Sequence, residues 1–133
     1  GGMDTAKTLH YGLLLIRVVL GIVMVAHGAQ KLFTFGHAGI TQGFGQMGMP
    51  LPQVAAAVII AVEFLGGLMM LANLLTRYVG AAFGFAMIVA SVMVHLPNGF
   101  FLPTGYEFTL MLAAAAFGLA LTGPGKYSVD ARK

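Results

Sequence analysis

Six ionisable side chains fall within or at the edges of long apolar stretches: Arg17, His27, Lys31, Glu63, His95 and Glu107, with Gln30, Asn73, Ser91 and Asn98 as neutral polar company. A charged group in hydrocarbon costs about 2.5–3.5 kcal/mol on insertion scales, so each needs a partner or a chemical task. Depth at about 1.5 Å per helical residue sorts them into two layers. Arg17 lies about two turns inside one face and Glu63 about three turns inside the other, on oppositely directed helices, so a mid-depth salt bridge between them is expected. Such a pair has two readings. It is a register device between two helices, or it is the floor of a pocket in which Glu63 accepts a proton.

The second layer lies near the opposite face. His27 and Lys31, one turn apart, share a face of the first helix. His95 ends the third helix, Asn98 lies in the following turn and Glu107 opens the fourth. Imidazole and carboxylate together take up and release protons near neutral pH, which suits a quinone or a hydroxyl-bearing substrate. The plainer reading has Lys31 reaching to headgroups, the histidines at helix ends, and Glu107 favoured by a helix N-terminus.

Other chemistries lack their residues. The chain has no cysteine, which excludes disulfides, iron–sulfur clusters and thiol catalysis. His27, His95, Glu63 and Glu107 are acceptable metal ligands, but no HxxH, HExxH or ExxH spacing occurs, so no metal site is expected. The methionines read as packing filler. Gly43-Phe44-Gly45 lacks the strand and spacing of a nucleotide loop. No nucleophilic triad is evident, and no catalytic residue is assigned.

The elements that position these groups follow from composition. Of 133 residues, 59% are apolar and 8% charged, against about 45–50% and 25% in soluble domains. The seven basic residues, for a net charge of +3, are scattered and form no nucleic-acid stripe. Four apolar stretches, at residues 11–32, 54–75, 79–96 and 106–121, each approach the ~20 residues of a membrane-spanning helix. They are too long for the strands of a membrane barrel and lack the charged faces of a soluble bundle. The expected fold is all-α: one domain, an antiparallel bundle of four transmembrane helices. Residues 34–53, with Ile40, Phe44 and Met47 at helical spacing before Pro50 and Pro52, predict an interfacial segment between helices one and two. Gly80 with Gly84, and Gly66-Gly67, mark close helix contacts. The first stretch is too long for a signal peptide and holds Arg17. Gly1-Gly2 ahead of Met3 read as an added leader. Lys7, Arg77, Lys126, Arg132 and Lys133 gather on one face and Lys31 on the other, so both termini are expected in the cytoplasm.

In order along the chain stand Arg17, Leu20-Gly21, His27-Gly28 and Lys31-Leu32-Phe33. Then come Met47-Gly48-Met49-Pro50, Glu63-Phe64-Leu65-Gly66-Gly67-Leu68, Arg77 and Gly105-Tyr106-Glu107. Gly123-Pro124-Gly125-Lys126-Tyr127-Ser128-Val129-Asp130 closes the series. This order resembles the DoxX family of small four-helix bacterial inner-membrane proteins, over about residues 14–130. The resemblance implies the fold above, an inner-membrane location and an association with quinone-coupled electron transfer, through the membrane subunit of thiosulfate:quinone oxidoreductase. Arg17, His27, Lys31, Glu63, Arg77 and Glu107 match its recurring polar positions. Neither haem-pair histidines nor a flavin fingerprint is present, so electrons would come from a partner protein or a diffusible substrate. The leading expectation is a quinone or similar amphipathic ligand in a polar, outward-opening pocket built by Arg17, His27, Lys31, Glu63, His95, Asn98 and Glu107. The alternatives are a scaffold subunit of a redox or stress-response complex, in homo-oligomeric form or with a partner, and a small-solute transporter, which four helices without an internal repeat disfavour.

Overall fold

A computed structural model describes residues 4–127. Gly1-Gly2, the closing Ser128-Val129-Asp130 and the basic residues Arg132 and Lys133 lie outside the described residues. The described chain is helical: α1 Thr5–Ala29, a π-helical segment Gln30–Phe35, α2 Gly36–Gln46, α3 Pro52–Ala72, α4 Thr76–Ala90, a second π-helical segment Ser91–His95, a 3₁₀ turn Leu96–Asn98, and α5 Glu107–Thr122.

Local chemistry sets these bounds. Helix α1 starts ahead of the expected residue 11 because the Asp4 carboxylate accepts from the amides of Ala6 and Lys7, at 3.1 and 3.4 Å, an N-cap that outweighs the polarity of the first turn. Pro52 opens α3, where its missing N–H costs nothing. Asn73 and Leu75, both left-handed with φ of +54° and +53°, reverse the chain between α3 and α4 within residues 73–75. Gly36, at φ +74°, breaks the helical direction after the first π segment. Helix α2 then lies against α3, pinned where the His37 ring nitrogen meets the Gln53 carbonyl at 2.8 Å.

Among the described residues, three helical runs are long and apolar enough to cross a membrane: Thr5–Gln46, Pro52–Ala72 and Thr76–Asn98. Helix α5 is apolar, but its 16 residues reach about 24 Å, against a hydrocarbon core of about 30 Å.

The helices pack as two tight antiparallel pairs, α1 with α3 and α4 with α5. Small residues set the spacing. A Cβ at Gly28 would fall on the Phe64 backbone, and one at Gly67 would lie 2.7 Å from the Val25 amide nitrogen. At Gly80 it would meet the Ala116 carbonyl oxygen at 2.6 Å. Leu20, Met24, Met70, Phe83, Ala116 and Leu119 join the two pairs in one buried core. Leu15, Val19, Leu65, Leu68, Phe85 and Leu121 turn outward and exposed. A surface this apolar suits lipid, where packing rather than hydrophobicity holds helices together.

Candidate functional site

The salt bridge forms, but between other partners than expected. Lys31 Nζ lies 2.7 Å from Glu63 Oε1, with the two side chains 21% and 4% exposed. Glu63 Oε1 is buried and makes no hydrogen bond besides this ionic contact. The expected Arg17–Glu63 bridge is absent, and the reason is register. With Gly28 against Phe64 and Gly67 against Val25, Arg17 stands past the end of α3, roughly 17 Å along the axis from Glu63. Arg17 instead donates to carbonyls in the last turn of α3, where the helix ladder ends. Its Nη1 donates to Met70 O and Leu71 O, both at 2.7 Å, and its Nη2 to Tyr127 O at 3.3 Å. Its Nε stays unpartnered. Asn73 Nδ2 joins this knot by donating to Pro124 O at 2.8 Å and Tyr127 O at 3.2 Å, while its Oδ1 accepts from the Thr76 hydroxyl. This end of the bundle is a clamp on residues 124–127, and neutral Asn73 is part of it.

Between the two helix pairs lies a cavity of about 620 Å³, within the usual range for small-molecule sites. Its polar lining is His27, Lys31, Glu63, His95 and Thr109, drawn from both helix pairs. The rest is apolar: one stripe of α3, a longer one of α4, Val23 of α1, Val94 of the second π segment, Phe108 and Leu112 of α5, and Phe44, Met47 and Met49 from α2 and the loop after it. The structure thus brings four of the expected site residues, His27, Lys31, Glu63 and His95, to one cavity. Arg17, Asn98 and Glu107 do not line it. Asn98 Nδ2 donates to Val94 O and Thr104 O, both at 3.4 Å. Glu107 Oε2 accepts from the Leu102 amide at 2.6 Å, bracing the loop that leads into α5.

Both π segments deliver a polar residue to the cavity, Lys31 from the first and His95 from the second. The wider π turn re-aims side chains and recurs at functional sites. His95 Nδ1–H donates to Thr104 O at 3.0 Å; in a neutral imidazole this leaves Nε2 as the acceptor. His27 sits beside Phe108, ring centroids 6.3 Å apart. Ser91 bridges the pairing of α4 and α5, its hydroxyl 2.7 Å from that of Thr109 and donating to Met87 O at 2.8 Å. Thr109, a lone hydroxyl in an apolar stretch, and most of the aromatic and methionine lining carry no site signal in the sequence; Phe44 and Met47 show there as part of the interfacial segment, and Met47-Gly48-Met49 as part of the motif series.

A helical membrane protein with an ion pair buried on the wall of an apolar cavity is the class this geometry defines. The chain belongs to the DoxX family, whose model matches residues 12–96. It is 37% identical over 124 residues to a Bacillus subtilis (strain 168) protein named "Putative oxidoreductase CatD", covering 93% of this chain and 88% of that one. It is also similar to two Escherichia coli (strain K12) proteins. Inner membrane protein YphA is 25% identical, covering 98% of this chain and 100% of the relative; inner membrane protein YqjF is 32% identical, covering 90% and 89%. No solved structure matches the chain.

Proposed function

We propose that this chain is a bacterial inner-membrane protein of four transmembrane helices that binds a quinone or similar amphipathic molecule in the cavity between its helix pairs, as the membrane subunit of a redox system. The observation that carries this reading is the Lys31–Glu63 ion pair, held in an apolar cavity of about 620 Å³ that two histidines also line. A buried ionic pair facing open space has an unspent capacity to bind, because a polar head entering the cavity finds an ammonium donor and a carboxylate acceptor already in place. Quinone reduction takes up two electrons and two protons. In this reading the His27 and His95 rings, which line the cavity, pass protons to and from such a head, and electrons come from a partner protein or a diffusible donor. Relatives named for an oxidoreductase and for the inner membrane fit this assignment. Both termini lie in the cytoplasm in this reading.

Titration of the detergent-solubilised protein with a short-tailed ubiquinone analogue tests it. His27→Ala and His95→Ala are expected to weaken binding about tenfold each, the worth of one lost hydrogen bond of about 1.4 kcal/mol. Glu107→Gln, outside the cavity, is expected to bind as wild type does. Equal affinity in all four proteins, or no binding to any, overturns the proposal.

A further inference from the structure

We infer that the cavity opens sideways between α3 and α4 into the lipid, and that its ligand is a polar head on a long hydrocarbon tail which leaves through this gap. The inference rests on the binding role proposed above and names the ligand class. Val58 and Phe85 line the cavity yet are 55% and 68% exposed, so they stand at its rim, one on each helix. Between them the walls are kept low by Ala55, Ala82 and Ala86.

Bulky side chains stand at the other approaches. Phe44, Met47 and Met49 cover the end toward the α1–α2 side, and the His27–Phe108 ring contact narrows the flank between α1 and α5. Helices α3 and α4 pack near their shared turn, where a Cβ at Gly66 would lie 3.4 Å from the Val79 side chain, and the cavity lies beyond that contact. Val58 lies about 9 Å inside α3 and Phe85 about 14 Å inside α4, at the depth of acyl chains when these helices span a bilayer. A gap lined by alanine, valine and phenylalanine at that depth offers a tail the same surroundings as the lipid, while the head gains the ion pair. A water-soluble ligand would meet no polar path to it there.

The test uses the full chain in lipid nanodiscs and two quinones with one head, tailless and decyl-tailed. Ala82→Trp and Ala55→Trp, which fill the gap from opposite walls, are expected to weaken the tailed compound at least tenfold and the tailless one less than twofold, with unchanged melting temperatures. Equal effects on the two compounds, or none on either, overturn the inference. Failure of both compounds to bind wild type overturns the binding role instead, and the gap is then read by fluorescence. The chain has no tryptophan, so Ile59→Trp, on the cavity wall, is a sole tryptophan that can be excited apart from the tyrosines. Quenching by lipids brominated along the acyl chain is expected; quenching by aqueous iodide without it means that the cavity opens to water and not to lipid. If Ala82→Trp fails to fold, Ala55→Trp and Ile59→Trp decide the matter.

Discussion

At the scale of single residues, the Lys31–Glu63 pair is the most consequential contact in the molecule. Breaking it from either side strands a charge where water is scarce, which costs about 3–5 kcal/mol. Lys31→Met and Glu63→Leu are each expected to lower thermal stability sharply, while the double variant recovers much of the loss. A double-mutant cycle by thermal melting measures this, and additive losses would mean that the two side chains are not coupled. The types and approximate depths of these residues are legible in the sequence, and so is the need for partners. The choice of partner is not. Span boundaries place Arg17 and Glu63 at similar depth only while α1 is taken to begin at residue 11, and the true register is fixed by Gly28 and Gly67, whose partner residues on the facing helix no single-chain pattern names. Glu107 and Asn98 are equally visible as polar residues, yet each spends its hydrogen bonds on its own loop.

At the scale of elements, glycine decides how near two helices come. Gly28→Ala is expected to destabilise the fold by about 1–3 kcal/mol, because its methyl group would overlap the Phe64 backbone and push α1 from α3. Gly118→Ala meets nothing within 4 Å and is expected to be neutral or to stabilise by up to about 0.5–1 kcal/mol through helix propensity. Comparing the two melting temperatures checks that proximity, not glycine content, is what matters. The Gly80, Gly84 and Gly66-Gly67 contacts are readable as small-residue spacing, whereas Gly28 is hidden beside His27. The π segments are unreadable for a different reason. Hydropathy, which finds the apolar runs well, is blind to a local change of pitch.

At the scale of the whole molecule, composition and apolar run length make a helical membrane protein legible, and the ordered motifs make its family so. The cavity is not, since its lining of alanine, valine, methionine and phenylalanine is indistinguishable in sequence from surface that faces lipid. Orientation remains a prediction from charge. The absence of cysteine makes Tyr78→Cys and Phe101→Cys clean reporters at opposite ends of the bundle. A membrane-impermeant maleimide is expected to label Phe101→Cys in intact spheroplasts and Tyr78→Cys only after lysis, and the reverse pattern would invert the topology. The clamp at the Arg17 end carries a consequence for biogenesis. A guanidinium installed near the start of the chain takes one of its three carbonyl partners from residue 127, 110 positions later. Until that stretch has been synthesised and docked, a cation is held in a half-built bundle with an incomplete set of acceptors. Docking of residues 124–127 thereby completes the acceptor set of a cation inserted far earlier, and a chain stopped before them carries a guanidinium short of one carbonyl partner.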